Sequence, residues 1–206
     1  MAIIKLNNRA LKDATAVGTT TQLGNLIFIS KQTASSSSSV SFTSGIDSTY
    51  KEYIFYFNNI HPATDNTHFQ FNFSTDSGSN YNVTKTTTAF ASEQQEDGTN
   101  EGLFYSTGFD LAQSTSYQSI APAVDSTNNT SCTSGYLHLF DPSNTTFVKH
   151  FIATTHASQH SGDNQRWSST YRTAGYGNTT SAIDALDFKM SSGNIDSGEI
   201  TLFGVA

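Results

Sequence analysis

Five residues between positions 166 and 176, Arg166, Trp167, Tyr171, Arg172 and Tyr176, combine flat aromatic rings with guanidinium groups. Such rings stack on the apolar faces of sugars, and Arg with aromatics is enriched at binding hot spots. They are the candidate contact for a glycan or a protein partner, with ordinary sheet packing as the alternative. His156 and His160, with Asp163 following, have a spacing that would put both imidazoles on one face of a helix and suit a metal. Yet residues 155–165 have weak helix propensity and read as an exposed polar loop, so no metal site is assigned. Glu93, Glu96, Asp97 and Glu101, and separately Asp76 with Asn80, offer oxygen ligands of the kind Ca²⁺ takes, but neither group completes a calcium-loop pattern. His138 and His150 read as half-buried strand residues, and His61 and His68 as flanks of a turn that they hold by hydrogen bonds. Nucleophilic catalysis finds no Gly-x-Ser-x-Gly elbow, and Cys132 lies in a Thr- and Ser-rich stretch with no neighbouring base to lower its pKa. No glycine-rich phosphate loop is present. The chain therefore reads as non-enzymatic, with no catalytic residue, no metal and no cofactor.

The elements that must position these residues are strands. Residues 53–57 carry an apolar or aromatic side chain at every position, the pattern of a strand buried on both faces. Phe69, Phe71 and Phe73 alternate with Gln70, Asn72 and Ser74, a period of two. Pro62, Asp65 and Asn66 between them favour a turn, so residues 50–74 read as a central antiparallel hairpin with a connection over 61–67. Further strands are expected at 26–30, 40–42, 81–90, 103–105, 117–121, 135–140, 147–154, 167–172, 185–190 and 199–203. Loops are expected at 35–39, 93–102, 125–134 and 156–166. The strand at 135–140 is expected to pair with 147–154. About ten to twelve strands and no helix imply an all-β antiparallel sandwich, jelly-roll-like in topology because loops of uneven length suit it better than a regular barrel.

Charged residues make up 13% of the 206, against about a quarter in ordinary domains, and Ser, Thr and Asn replace them as the polar surface. Ten basic residues against seventeen acidic ones give a net charge of −7 with no Lys/Arg cluster, which excludes a nucleic-acid-binding patch. A single cysteine excludes an internal disulfide framework. No stretch approaches the about 20 apolar residues of a membrane span, and the first residues lack the apolar core of a signal peptide. Residues 1–24 read as a polar arm with apolar handles, in which Ile3, Ile4, Leu6, Arg9 and Leu11 would dock on a neighbouring subunit or assembly. The alternative is a disordered tail. Residues 25–206 then form the β-sandwich domain.

Residues 38–81 contain Ser-Phe-Thr (41–43), Gly-Ile-Asp-Ser-Thr-Tyr (45–50), an aromatic strand, Ile-His-Pro-Ala-Thr-Asp (60–65) and Ser-Thr-Asp-Ser-Gly-Ser (74–79). This order resembles a domain of tailed-bacteriophage virion proteins, and residues 192–204 resemble that family's closing strand. The resemblance covers a quarter to a third of the chain and its motifs are structural. It implies a jelly-roll-like domain displayed on a phage particle after assembly in the host cytoplasm. The role it implies is that of a capsid decoration protein or head fibre, with a tail fibre recognising host surface glycans as the second reading. It also implies a homo-oligomer, a trimer, in contact with other virion proteins.

Overall fold

The computed structural model of the protein describes residues 25–126, 131–161 and 165–206. Among them are twelve strands and no helix: β1 (Leu26–Ser37), β2 (Val40–Phe42), β3 (Glu52–Pro62), β4 (Thr67–Ser74), β5 (Lys85–Gln95), β6 (Glu101–Tyr105), β7 (Gln118–Val124), β8 (Cys132–Phe140), β9 (Lys149–Ser161), β10 (Gln165–Gly177), β11 (Ala185–Met190) and β12 (Ile195–Val205). They build two antiparallel sheets. The larger has the order β1-β12-β3-β8-β9-β10-β5-β6 and the smaller the order β2-β11-β4-β7. Without β5, β6, β9 and β10, the remaining eight strands pair first with last and inward: β1 with β12, β2 with β11, β3 with β8, β4 with β7. A long hairpin folded over on itself gives these pairings, which is the wrap of a jelly roll. The other four strands are two inserted hairpins that extend the larger sheet beyond β8, β9 against β8 and β5 against β10. Among these residues no helix is long and apolar enough to cross a membrane.

Residues 53–57 and 69–73 do not form the expected hairpin. β3 lies between β12 and β8, β4 lies between β11 and β7, and residues 63–66 cross from one sheet to the other. Each strand has one fully apolar face, Tyr53, Phe55 and Phe57 on β3 and Phe69, Phe71 and Phe73 on β4, all buried. Side by side these faces would still need a cover; opposed, they cover each other. Phe57 accordingly meets Phe69 edge to face with ring centroids 5.2 Å apart. Phe188 of β11 sits at the centre, with the rings of Phe42, Phe55, Phe57, Phe69 and Phe71 between 5.3 and 6.3 Å away.

The motif segments lock the crossings. Thr64 packs so closely on Gly193 (φ 69°) that a Cβ there would lie 2.2 Å from Thr64 Oγ1, and Ala63 N–H donates to Asn194 O at 3.0 Å. Tyr53 Oη donates to Asp47 O at 2.9 Å and accepts from Asp47 N–H at 3.0 Å, tying the 45–50 segment to β3.

Several expected loops are strands. β1 continues through Ser37, β5 and β6 leave a short turn within 93–102, and β9 and β10 take up most of 156–166. Between the buried Phe151 and Tyr171, many of their inward positions are small, Ala153, Thr155 and Ala157 on β9 and Ser169 and Thr173 on β10, where they lie against the backbone of β7. Thr155 Oγ1 donates to Ile120 O at 2.5 Å and Thr173 Oγ1 to Ser119 O at 3.5 Å. These buried positions carry Ala, Ser and Thr, which hydropathy does not mark as core. β7 runs past Pro122, tolerated because β7 is the edge of its sheet.

Candidate functional site

The pleat divides the five residues singled out between 166 and 176. Tyr171 points inward and is buried, its hydroxyl donating to Glu93 Oε1 at 2.8 Å and accepting from Gln159 Nε2 at 2.8 Å. Burial and the Glu93 carboxylate hold its hydroxyl well above the usual tyrosine pKa. Trp167 shares the parity of Tyr171, whereas Arg166, Arg172 and Tyr176 occupy the opposite, outward positions of β10. The five do not converge on one surface. Arg172, exposed opposite Phe90 and Thr154, and Tyr176 both lie on the outward face of the larger sheet. Ile3, Ile4, Leu6, Arg9 and Leu11 lie outside the described residues.

That outward face belongs to the larger sheet, and register alone assembles it. One row across the ladders reads Phe28, Phe203, Ile54, His138, Ile152 and Ala174; the next reads Lys31, Thr201, Tyr56, Tyr136, Thr154, Arg172, Phe90 and Tyr105. Aromatic contacts run across the strands and along β8. Phe28 meets Phe203 at 6.0 Å, Phe203 meets Tyr56 at 5.7 Å, Tyr56 meets Tyr136 at 6.3 Å, Tyr136 meets His138 at 5.1 Å and His138 meets Phe140 at 6.1 Å. No described element covers this face. Phe28 is 60% exposed, Phe90 46%, Ile152 40% and Leu103 79%. Two pairs of ionisable side chains meet on it, Glu52 with His138 Nδ1 and Lys31 Nζ with Glu199 Oε1 at 2.6 Å.

Two adjoining depressions interrupt the face. One, of about 410 Å³, is lined by Thr86, Thr88, Phe140, His150, Ile152 and Tyr176 among others. The other, of about 510 Å³, shares Phe140 and His150 and adds Asp141, Asn144, Phe147 and Thr180. Rings, hydroxyls and a carboxylate in this mixture can hold a flat polar ligand by stacking and hydrogen bonding.

The sequence marked the outward residues but disguised them. Residues 53–57 are apolar at every position, which reads as a strand buried on both sides; in the fold Ile54 is buried by its lateral neighbours, while Tyr56 stays half-exposed with nothing layered over it. In β8, Tyr136, His138 and Phe140 alternate with the buried Leu137 and Leu139, so a second aromatic face was present in the pattern.

The outward face of the smaller sheet is the reverse: its polar groups are sealed under the segments 75–84 and 111–117. Asn72 on β4 and Asp187 on β11 stand opposite one another in the ladder, both buried. Asn72 Nδ2 donates to Tyr81 O at 2.7 Å and Thr115 O at 2.9 Å, and its Oδ1 accepts from Phe73 N–H at 2.9 Å and from Lys85 Nζ. Lys85 is fully buried, donates also to Val83 O at 2.9 Å, and its pKa is pushed down to about 7 by burial. Asp187 accepts from Ser41 Oγ at 2.5 Å and Tyr117 Oη at 2.9 Å.

The remaining sequence candidates are committed elsewhere. His156 is exposed on β9, its Nε2 2.9 Å from Ser168 Oγ; the side chain of His160, and Asp163, lie outside the described residues. Asp76 is tied to Ser74 and Asn80, and these hydrogen bonds hold its carboxyl below the usual range. Among the described residues no three His, Cys, Asp or Glu side chains gather as a metal site. Burial pushes the Cys132 thiol up, away from reactivity. His68 accepts at Nδ1 from Ala123 N–H at 3.0 Å, joining β4 to β7, and burial lowers its pKa. Comparison of the chain with protein-family models, with curated proteins and with solved structures finds no match.

Proposed function

We propose that this chain is a non-enzymatic phage virion protein displayed on the particle surface, a capsid decoration protein or head fibre held by residues 1–24. In this reading it associates with copies of itself, as a trimer, and with neighbouring virion proteins through the outward face of the larger sheet. The observation that carries the reading is that open aromatic face. Seven strand spacings of about 4.8 Å make it about 34 Å wide, and strands of nine residues or more run about 30 Å along it. A face of that size exceeds the about 800 Å² per partner of a standard interface. Aromatic centres with few charged residues are what such interfaces use. The virion setting rests on the motif order of residues 38–81 and 192–204, together with a jelly-roll wrap.

Immunogold electron microscopy of intact particles with antibody to this chain tests the setting. Label over the head supports decoration or a head fibre, label on the tail supports the receptor-binding reading, and no label defeats both. Removal of residues 1–24 is expected to abolish incorporation while the β domain stays folded.

The second reading, recognition of a host surface glycan, is favoured by the two depressions around Phe140 and His150. Tyr176→Ala is then expected to abolish binding to host polysaccharide. Unchanged binding would remove that residue from the site.

A further inference from the structure

The sealed polar cluster on the smaller sheet has the arrangement of a reaction centre for a covalent crosslink. A lysine without charge compensation is costly in a protein interior, and the oxygens that Lys85 meets, from Asn72 and Val83, are neutral. Burial leaves a large fraction of its amine unprotonated near neutral pH, the state in which nitrogen is nucleophilic. The amine lies against the carboxamide of Asn72, whose orientation is fixed at both ends. Two backbone carbonyls receive its nitrogen, and the Phe73 N–H sits 2.9 Å from its oxygen. That N–H points at the atom where negative charge would develop if nitrogen added to Cγ, as an oxyanion donor does. Residue 72 lies just beyond the ladder between β4 and β7, which ends at the pair Phe71 with Gln118, and Lys85 reaches it from the first position of β5.

We propose that Lys85 and Asn72 join in an intramolecular isopeptide bond. The neutral Nζ adds to Cγ of Asn72, and the oxygen takes up negative charge beside the Phe73 N–H. The tetrahedral adduct then collapses by breaking the Cγ–Nδ2 bond. Nδ2 departs as ammonia, carrying the proton that Nζ gives up; a primary amide and a primary amine become a secondary amide and ammonia. No oxidant, reductant or cofactor is consumed. Asp187, facing Asn72 across the ladder at the about 5 Å Cβ separation of such pairs, is the positioning carboxylate for this proton transfer, held by Ser41 and Tyr117. The bond would close a loop between β4 and β5 and fasten the 75–84 segment over the sheet.

Intact-mass spectrometry of the full chain tests this directly. The wild-type protein is expected to fall below its sequence mass by one ammonia, and Lys85→Met and Asn72→Ala to show the full mass. Chymotryptic cleavage after Phe73 and Tyr81 should then leave two peptides joined through positions 72 and 85. A wild-type chain at full sequence mass overturns the proposal, as does an ammonia loss mapping to any other residue. Asp187→Asn is expected to keep its far-ultraviolet circular dichroism and yet show the full mass. A crosslinked Asp187→Asn protein would overturn the part given to Asp187.

Discussion

The two sheets turn opposite surfaces outward. The smaller one carries Asn72, Asp187 and the tip of Lys85 beneath a cover of connecting segments, whereas the larger one leaves Phe28, Tyr56, Tyr136 and Phe203 without any layer above them. Polar groups inside and aromatics outside invert the usual partition, and each inversion has its own physical explanation. Buried polar groups persist when their hydrogen bonds are complete, as those of Asn72 are. Open aromatic faces of this extent are characteristic of docking surfaces, and the proposed association rests on this one.

Breaking the covered side should have the largest effect. Asn72→Ala strips Lys85 of a partner, a loss of about 1–3 kcal/mol for an unsatisfied buried group. Loss of a crosslink over a loop of this length adds about 3 kcal/mol in the chain-entropy account. Chemical denaturation reads the sum; a change below about 1 kcal/mol would mean the cluster contributes little to holding that face closed.

The open side should respond in association instead. Tyr56→Ser with Tyr136→Ser is expected to cost at least about 2 kcal/mol of self-association, a shift of more than tenfold in the dissociation constant by analytical ultracentrifugation. The monomer's own stability should move by less than about 1 kcal/mol, because both tyrosines are only half-buried. Equal assembly of the two proteins would take those residues out of the interface.

The charge state of Lys85 sharpens the contrast through pH. The folded pKa is about 7 and the ordinary value 10.5, so between these limits the unfolded chain binds more protons and stability rises with pH. Below about 7 both states are protonated and the burial cost is constant; above 10.5 both are neutral. A free Lys85 amine therefore gives a slope of about 1.4 kcal/mol per pH unit across that window. A crosslinked Lys85 no longer titrates, and stability curves of wild type and Lys85→Met should then run parallel through it. A wild-type slope that Lys85→Met abolishes would mean the amine is free.

The smallest effect is expected at the margin of the open face. Lys31 and Glu199 form an ion pair that water reaches on both sides, 46% and 41% exposed. Lys31→Ala should alter stability by about 0–1 kcal/mol, and less at high salt. A larger loss in the urea midpoint would show the pair to be shielded by an association partner.

Much of the strand inventory was legible because period-two patterns are local. Residues 185–190 coincide with β11, and the pairing expected between 135–140 and 147–154 is the β8–β9 ladder. The long polar strands were not legible: Thr155, Ala157, Ser169 and Thr173 face inward as small residues against the β7 backbone, and their burial depends on what lies opposite. The candidate site was half legible. Tyr176 and Arg172 reached the outward face, while Tyr171 was drawn into hydrogen bonds with Glu93 and Gln159. Residues five apart in a strand point to opposite sides, so a cluster in sequence there is no cluster in space.

By itself the sequence determined that this chain is all-β and that it owns an aromatic core in residues 53–73, since alternation and β-branched or aromatic composition act between neighbours along the chain. Tertiary structure alone decided that β3 and β4 oppose each other across the core instead of pairing, that Phe28, Tyr56, Tyr136 and Phe203 share one surface, and that Lys85 meets Asn72 opposite Asp187. Those relations are set by which strands pair and in what register, and the pairings that place them join residues far apart in the chain, Phe28 with Phe203, Tyr56 with Tyr136 and Asn72 with Asp187.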